Sequence, residues 1–188
     1  MAAPQRAAIE RAVSGRQNIL VVGGTGAGKT TLTNAIIDRM AEATPDHRLV
    51  IIEDTAEIQC AAPNAVIMRA TDTVDLQRLL KATLCLRPDR IVVGEVRGGE
   101  ALTMLTAWNT GHPGGVCTVH ANHARAGLTR IEQMIAEVSQ TPMRALIGEA
   151  IDLIVSVVRT DATPGRRIHE VIAVEGFTDG DYRFANEE

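Results

Sequence analysis

A glycine-rich segment between an apolar run and an amphipathic helix constrains this chain more than any other feature. The segment, Gly23-Gly24-Thr25-Gly26-Ala27-Gly28-Lys29-Thr30, satisfies every fixed position of the pattern G-x-x-x-x-G-K-[ST]. The apolar run Gln17–Val22 precedes it, and apolar residues at helical spacing follow it from Leu32 to Met40. Glycines let backbone N–H groups turn inward around an anion, and the N-terminus of the helix adds partial positive charge. The pattern therefore predicts a strand, loop and helix that bind the phosphates of a nucleotide.

The cofactors expected at this loop are ATP and Mg²⁺. Lys29 is predicted to bridge the β- and γ-phosphates, and the Thr30 hydroxyl is predicted to bind Mg²⁺. Lys29 and Lys81 are the only two lysines among 19 basic residues, so a lysine at this position departs from the chain's preference for arginine. The residues assigned to nucleotide binding are Gly24, Thr25, Gly26, Ala27, Gly28, Lys29, Thr30 and Thr31.

Length, charge and composition limit the number of domains, the kinds of partner and the cell compartment that are expected for this chain. A chain of 188 residues with 45% hydrophobic and 22% charged residues is expected to fold as one compact domain. The net charge of −4 and the 2% aromatic content give no strong signal for direct nucleic-acid binding. The three cysteines form no C-x-x-C pair, which favours a reducing compartment and cysteines packed as small hydrophobic residues. No apolar run is long enough to cross a membrane, so we expect at most peripheral attachment.

Apolar strand-like runs alternate with helical patterns along the first 140 residues. Further strands are predicted at Leu49–Ile52, Val66–Met68, Ile91–Val93 and Val116–Val119, with helices at 8–13, at 74–84 after a Thr73 cap, at Ala101–Trp108 and at Ile131–Val138. Buried strands separated by helices are typical of a parallel sheet covered by helices on both faces. The predicted fold class is therefore α/β.

The sequence pattern changes after about residue 152, where helical patterns give way to β-type runs. Three β-type runs, Leu153–Val158, Arg167–Val174 and Tyr182–Phe184, are joined by turn signals that contain Pro and Gly. This pattern predicts an antiparallel β extension at the C-terminal end, with Glu187-Glu188 as a frayed acidic terminus.

Acidic residues follow two of the predicted parallel strands. Glu95 ends the strand after Gly94, where many phosphate-loop enzymes place an aspartate, and it is suited to orient the attacking water. The strand at 49–52 ends in Glu53, Asp54 and Glu57. Because ligands bind outside the carboxyl ends of parallel strands, this cluster and Glu95 are expected to converge on one metal and its water. An ordinary solvated turn is the alternative interpretation of the cluster.

Histidines concentrate between residues 112 and 123. A zinc site formed by His112, Cys117, His120 and His123 is one hypothesis, although Cys117 and His120 would point to opposite faces of a strand. His120 is better suited to a strand end near the γ-phosphate, where it would distinguish triphosphate from diphosphate. A purely structural histidine is the alternative. Three nearby arginines, Arg97, Arg125 and Arg130, are candidates for contacting phosphate across an interface, and none is assigned that role.

Four segments in this order, GGTGAGKTT, IIEDTAEI, RIVVGEVRGGEA and NTGHPGGVCTVHAN, resemble the secretion and traffic ATPase superfamily of type II, type IV pilus and type IV secretion machines. The resemblance implies a RecA-like fold and the catalytic residues Glu95, His120, Glu57 and Glu53. The segment from Thr110 to Gly115 is similar to the conjugal-transfer branch, whereas the tetracysteine motif of other branches is absent.

The resemblance also implies how the chain works with partners. It indicates an ATP hydrolase that powers a conjugative or type IV secretion apparatus as a subunit of a ring, a hexamer in full-length members. Channel proteins are then the partners, and the location is cytoplasmic, possibly peripheral on the inner membrane face. Residues 1–188 are interpreted as a single RecA-like ATPase domain without the N-terminal family domain. A nucleotide-binding assembly module that is inactive alone, or a phosphate-loop kinase, remains an alternative.

Overall fold

The computed structural model describes residues 2–186, in which helices and strands alternate as the sequence predicts. The strands are β1 (Ile19–Val22), β2 (Leu49–Glu53), β3 (Ala65–Arg69), β4 (Arg90–Val93), β5 (Val116–Val119), β6 (Leu153–Arg159), β7 (Arg166–Thr178) and β8 (Asp181–Asn186). The helices are α1 (Ala3–Ser14), α2 (Lys29–Ala43), α3 (Leu76–Thr83), α4 (Glu100–Asn109), α5 (Ala124–Ala136) and α6 (Arg144–Ala150), and a short 3-10 turn spans Leu84–Leu86.

The strands form one mixed sheet in the order β3-β2-β4-β5-β1-β6-β7-β8. The strands from β3 to β6 in this order run parallel, and β7 and β8 are each antiparallel to the preceding strand. The α/β class and the antiparallel C-terminal extension are therefore confirmed. The sequence did not predict one further pairing, the parallel one between β6 and β1, which makes β6 part of the parallel sheet as well as of the extension. The strand β1 lies inside the sheet, between β5 and β6.

Helices cover both faces of the sheet, as predicted. Helices α1 and α2 pack on one face around Ile36 and Met40, and helices α3 to α6 pack on the other around Leu80 and Leu105. Strands β1, β4 and β5 are buried along their whole length. Continuous apolar strands of this kind are expected where both faces of a parallel sheet are covered. Trp108 is buried in the larger cluster, where its ring nitrogen donates a hydrogen bond to the carbonyl oxygen of Ile91 at 3.1 Å.

The amino ends of the central strands are tied together by Asn18. Its Oδ1 accepts hydrogen bonds from the backbone N–H groups of Gly114 (2.8 Å) and Gly115 (3.0 Å), and its Nδ2 donates to the carbonyl oxygen of Ala150. These bonds join the segments that enter β1, β5 and β6. They thereby align the carboxyl ends of the same strands, which lie at the other end of the sheet.

Several local predictions differ from the structure. Asp75, not Thr73, caps α3, because its side chain accepts a hydrogen bond from the N–H of Arg78 at 2.8 Å. Helix α5 begins at Ala124, where His123 caps it, and α6 was not predicted because its seven residues give too short a pattern.

The three cysteines differ in how far they are buried. Cys117 is buried as expected, but Cys85 is exposed, so the prediction that the cysteines pack as hydrophobic residues was wrong for that position. The predicted acidic terminus, Glu187-Glu188, lies outside the described residues. Within the described part, none of the helices is both long and apolar enough to pass through a membrane.

Candidate active site

The glycine-rich segment forms a loop between β1 and α2, with Lys29 as the first helical residue. Gly26 (φ +68°) and Gly28 (φ +99°) adopt the left-handed conformation that favours glycine. These turns bring the loop around the N-terminus of α2, where free backbone N–H groups and the helix dipole attract anions. The local structure is therefore the strand, loop and helix that the sequence predicts for a phosphate-binding loop.

This loop forms one wall of a polar cleft of about 390 Å³ at the carboxyl ends of β1, β2, β4 and β5. Most residues singled out from the sequence line it: Gly24, Thr25, Gly26, Ala27, Gly28, Lys29, Thr30, Thr31, Glu53, Asp54, Glu57, Glu95 and His120. The cleft also contains Gly94, Arg97, Thr118 and Arg166. The strand-end motifs thus converge on the phosphate loop, as parallel topology requires.

Lys29 is 8% exposed and lies at the centre of the cleft. Its ammonium donates a hydrogen bond to the Gly23 carbonyl oxygen at 3.1 Å and lies 3.2 Å from Nε2 of His120. Burial lowers the pKa of Lys29, and the negative charges of Glu95 and Glu57 partly oppose that effect. A desolvated cation with few partners is well placed to attract a phosphate.

The Thr30 hydroxyl and the Glu57 carboxylate are directly connected. Thr30 Oγ1 donates a hydrogen bond to Oε2 of Glu57 at 2.8 Å. Both groups offer hard oxygen donors, which are the ligands that Mg²⁺ prefers. The residues at this position therefore fit the magnesium ion expected from the sequence.

Glu53 occupies a different position from the rest of the acidic cluster. It is 2% exposed, and its Oε2 accepts hydrogen bonds from the backbone N–H groups of Glu57 and Ile58, both at 3.0 Å. Its Oε1 accepts a bond from Nε of Arg69 at 2.9 Å. Burial alone raises the pKa of Glu53, but these hydrogen bonds outweigh burial and hold the pKa below its ordinary value. With both oxygens in use, Glu53 is arranged to hold the loop that carries Glu57.

Glu95 is held between Arg97 and His120. Its Oε2 accepts hydrogen bonds from Nε (3.0 Å) and Nη2 (2.5 Å) of Arg97, whose Nη1 donates to Asp54 at 2.6 Å. Hydrogen bonding to Glu95 raises the pKa of Arg97. Oε1 of Glu95 is buried and lies 2.8 Å from Nε2 of His120, yet within residues 2–186 no donor reaches it with hydrogen-bond geometry. This oxygen therefore has a free lone pair beside the phosphate loop.

Gly94 lies close to its neighbours. A Cβ at Gly94 would lie 3.2 Å from Cβ of Glu53, which is tighter than most contacts of this kind, and 3.4 Å from Cδ1 of Ile58. An aspartate at this position would add both volume and a third carboxylate between Glu53 and Glu95. The crowding gives a physical reason for the glycine where other phosphate-loop enzymes have an acid.

The structure separates the four residues of the zinc hypothesis. Nδ1 of His112 lies 2.9 Å from the carbonyl oxygen of Pro88 at the opposite end of the sheet, and Cys117 is buried inside β5. His123 uses Nδ1 to accept a hydrogen bond from the N–H of Ala126 at 3.2 Å. Across the described ranges, no group of three or more His, Cys, Asp or Glu side chains is arranged to hold a metal ion. Among the four, His120 lines the phosphate cleft.

The candidate arginines also have different surroundings. Arg97 binds Glu95 and Asp54 within this chain, as described above. Arg125 stacks over the ring of Phe184 at 4.3 Å, and Arg130 donates a hydrogen bond to Gln133 at 3.3 Å. Both belong to a second open pocket, next to His120 and the phosphate loop.

Two residues of the cleft were missed by the sequence analysis. Thr118 Oγ1 donates a hydrogen bond to the carbonyl oxygen of Gly94 at 2.8 Å, which fixes β5 beside the segment that carries Glu95. Arg166 donates from Nε to the carbonyl oxygen of Gly26 at 3.1 Å. A lone threonine in an apolar strand gave a weak signal, and Arg166 gave none because it lies 140 residues from Gly26.

The phosphate loop, the parallel sheet and the acidic strand ends together define a phosphate-loop nucleotide-binding domain of the RecA-like type. The sequence profile of the family described as "Type II/IV secretion system protein" matches residues 1–178. The chain belongs to this family, within which its relatives are type IV secretion and conjugal-transfer proteins.

Relatives with known names support the same placement. The chain is 57% identical over 188 residues to a probable conjugal transfer protein TrbB of Sinorhizobium fredii, and 34% identical over 165 residues to the type IV secretion system protein VirB11 of Bartonella henselae. These matches cover 100% and 81% of this chain, but 57% and 46% of the relatives. The chain thus spans about half the length of the curated relatives it matches.

Solved structures show the same fold. The VirB11 ATPase of the Brucella suis type IV secretion system, in complex with sulphate, superposes with a TM-score of 0.81 at 32% identity, covering 89% of this chain and 51% of that one. The Legionella pneumophila ATPase DotB superposes with a TM-score of 0.72 at 21% identity, covering 89% and 48% of the two chains. The first similarity agrees with the family, and the second concerns the fold alone.

Proposed function

We propose that this chain binds ATP with Mg²⁺ and hydrolyses it to ADP and phosphate, as the motor domain of a conjugative or type IV secretion apparatus. The observation that carries the proposal is the juxtaposition of Lys29, Glu95 and His120 in one cleft, with Nε2 of His120 within 3.2 Å of Lys29 and 2.8 Å of Glu95. A phosphate-binding cation and a carboxylate with a free lone pair are the two groups that hydrolysis of a terminal phosphate requires.

Each of these residues of the cleft has a separate role in the proposed hydrolysis. Lys29 and the loop N–H groups hold the phosphates and withdraw charge from the γ-phosphate. Oε1 of Glu95 accepts a hydrogen bond from the attacking water and orients it, while Arg97 holds Oε2. His120, which lies between Lys29 and Glu95, contacts the γ-phosphate and distinguishes triphosphate from diphosphate.

Thr30 would hold the magnesium ion through its hydroxyl, which lies beside the carboxylate of Glu57. When bound, the ion would neutralise charge on the phosphate oxygens. Glu53 holds the backbone of Glu57 and so fixes this carboxylate opposite Thr30. Glu57 therefore acts on the metal side of the cleft, opposite Thr30, and Glu53 positions the loop that carries Glu57.

The family supports the setting that we propose for this activity. Residues 1–188 act as a single RecA-like ATPase domain, and the working protein is a ring-shaped oligomer, a hexamer in the full-length form. Its partners are channel proteins of the secretion or conjugation apparatus, and it works in the cytoplasm, peripherally at the inner membrane face. The 57% identity to a conjugal transfer protein supports DNA transfer as the process that it powers.

Two substitutions test the proposal. Lys29→Ala is expected to weaken ATP binding by about 30-fold or more, because it removes a charge-assisted contact to phosphate. Glu95→Gln is expected to leave binding intact and to lower the hydrolysis rate by about 10²- to 10⁴-fold. Calorimetry measures binding, and phosphate release by the complete protein measures turnover.

Matched controls are available in the same chain. Lys81→Ala, at an exposed position of α3, and Glu175→Gln, at an exposed position of β7, change the same residue types away from the cleft. Hydrolysis at the parent rate by Glu95→Gln would exclude Glu95 as the carboxylate that orients the attacking water. Binding without turnover in the complete protein would instead favour a nucleotide-binding assembly module.

A further inference from the structure

The hairpin formed by β6 and β7 makes one side of the phosphate cleft. Strand β6 pairs directly with β1, and a Cβ at Gly23 would lie 2.6 Å from the carbonyl oxygen of Val157. The phosphate loop therefore begins in direct contact with β6. Arg166, the first residue of β7, pairs with Arg159 at the end of β6, so it stands at the same level as the loop.

Arg166 covers the phosphate loop from this side. Its Nε donates to the carbonyl oxygen of Gly26, and its Cδ lies 2.7 Å from the position that a Cβ at Gly28 would occupy. The glycine at 28 thus makes room for the Arg166 side chain. Arg166 is exposed at the mouth of the cleft that Lys29 lines.

The charges in the cleft leave few cations free for phosphate. Arg97 is bound to Glu95 and Asp54, and Arg69 is bound to Glu53. Within residues 2–186, Lys29 and Arg166 are the cleft-lining cations that form no ion pair with a carboxylate. The guanidinium of Arg166 uses Nε for Gly26 and retains its terminal nitrogens, which are the donors that bind phosphate in a bidentate manner.

The order of strands decides which phosphates Arg166 meets. Glu95 and His120 follow β4 and β5, on one side of β1, whereas Arg166 begins β7 on the other side. A nucleotide with its terminal phosphate beside Glu95 and His120 must run from there along the loop toward β6 and β7. Arg166 then faces the phosphates nearer the nucleoside.

We propose that Arg166 is a nucleotide-binding residue that contacts the α- and β-phosphates of ATP or ADP from the β6–β7 hairpin. This inference rests on the proposed nucleotide-binding function and adds a second phosphate-binding cation to it. Because the γ-phosphate lies on the opposite side, Arg166 contributes equally to the binding of ATP and ADP.

Binding measurements on variants of this chain separate a phosphate contact from a simple brace on the loop. Arg166→Ala is expected to weaken ADP and a non-hydrolysable ATP analogue by the same factor, about 10- to 100-fold. Arg166→Lys keeps the charge and is expected to recover part of the loss. Arg166→Gln keeps an N–H donor for Gly26 without the charge and is expected to bind as weakly as the alanine variant.

Arg167→Ala is the matched control, since the next residue of a strand points to the opposite face. It is expected to bind both nucleotides as the parent chain does, within about twofold. Because Arg166 is exposed, the thermal midpoints of all variants without nucleotide should agree with the parent, which shows that they fold.

The other outcomes overturn the proposal in distinguishable ways. If Arg166→Ala binds with the affinity of the parent chain, Arg166 does not contact the nucleotide. If Arg166→Gln recovers binding and Arg166→Lys does not, Arg166 only supports the loop through its hydrogen bond to Gly26. A loss confined to the ATP analogue would place it at the γ-phosphate instead. Failure of the parent chain to bind either nucleotide would overturn the proposed function itself, and this inference with it.

Discussion

Glu53 illustrates how a residue within the acidic cluster can serve structure more than chemistry. Its carboxylate accepts hydrogen bonds from two backbone N–H groups and from Arg69, and it is almost completely buried. Charged hydrogen bonds of this kind stabilise the folded state only while the carboxylate is ionised. The residue therefore links the stability of the protein to pH.

We predict that Glu53→Gln lowers the free energy of unfolding by about 1–3 kcal/mol at pH 7, because charged hydrogen bonds to buried groups are lost. The folded-state pKa of Glu53 is below its ordinary value, so its stabilisation is present above about pH 4.5 and is lost as the pH falls further. Urea denaturation at pH 7 and at pH 3 measures this difference.

The control is Glu10→Gln, which removes two partly exposed ion pairs, one to Arg6 on α1 and one to Arg39 on α2. Exposed pairs of this kind contribute less than about 1 kcal/mol. If the difference in stability between the parent and Glu53→Gln were as large at pH 3 as at pH 7, ionisation of Glu53 would not be its source.

Residue types and spacing predicted much of the site because each motif lies next to a strand end. The phosphate loop, Glu95 and His120 could be placed in this way, since parallel strands bring their carboxyl ends together. The burial of Glu53 could not be predicted, because the sequence does not show which of two adjacent acids turns inward. Arg166 could not be predicted either, because only the pairing of β6 and β7 brings it to Gly26.

At the scale of secondary structure, the junction between α4 and β5 depends on close approach of backbone and ring. A Cβ at Gly115 would overlap the ring nitrogen of Trp108 and the carbonyl oxygen of Ile91, which are hydrogen-bonded to each other. Gly115 also donates its N–H to Asn18. A single methyl group at this point therefore disturbs a helix and two strands together.

We predict that Gly115→Ala lowers the free energy of unfolding by about 3 kcal/mol, the upper part of the range for overpacking a rigid core. Denaturant titration followed by Trp108 fluorescence measures it. Gly24→Ala is the control for stability, because a Cβ there would meet no atom within 4 Å. Equal midpoints for the two variants would show that the core around Trp108 adapts freely.

Secondary structure was predicted best where the pattern was long and its boundaries were chemically marked. Helix α2 begins at the phosphate loop and ends before Pro45, and both signals are unambiguous. Helix α6 has seven residues and no side-chain cap, so its sequence carried little information. Strand β6 looked like the extension that follows it, because local sequence does not show that its other edge pairs with β1.

For the molecule as a whole, the open cleft and its charges bear on assembly. Glu95 and Asp54 already bind Arg97 within the chain, and Glu57 is exposed at the rim. Transition states of phosphate transfer gain from an additional arginine, which ring-forming enzymes take from a neighbouring copy.

On the proposed function, we predict that ATP hydrolysis per chain rises with protein concentration, because a neighbouring copy is expected to add an arginine to the cleft. Phosphate release measured from dilute to concentrated protein, alongside light scattering for mass, tests this. Glu95→Gln assembles in the same way and is the inactive reference. A rate per chain that stays constant while the mass increases would show that each cleft is complete on its own.

The short buried strands β1, β4 and β5 have a consequence for how the molecule responds to its ligand. Each strand has four residues, all of them buried, and each lies inside the sheet with a neighbouring strand on both edges. Such segments exchange their amide hydrogens only when the domain opens widely. Deuterium uptake should therefore slow on nucleotide binding in the peptides covering 24–28, 54–57 and 160–166, while the strands beneath them remain protected throughout.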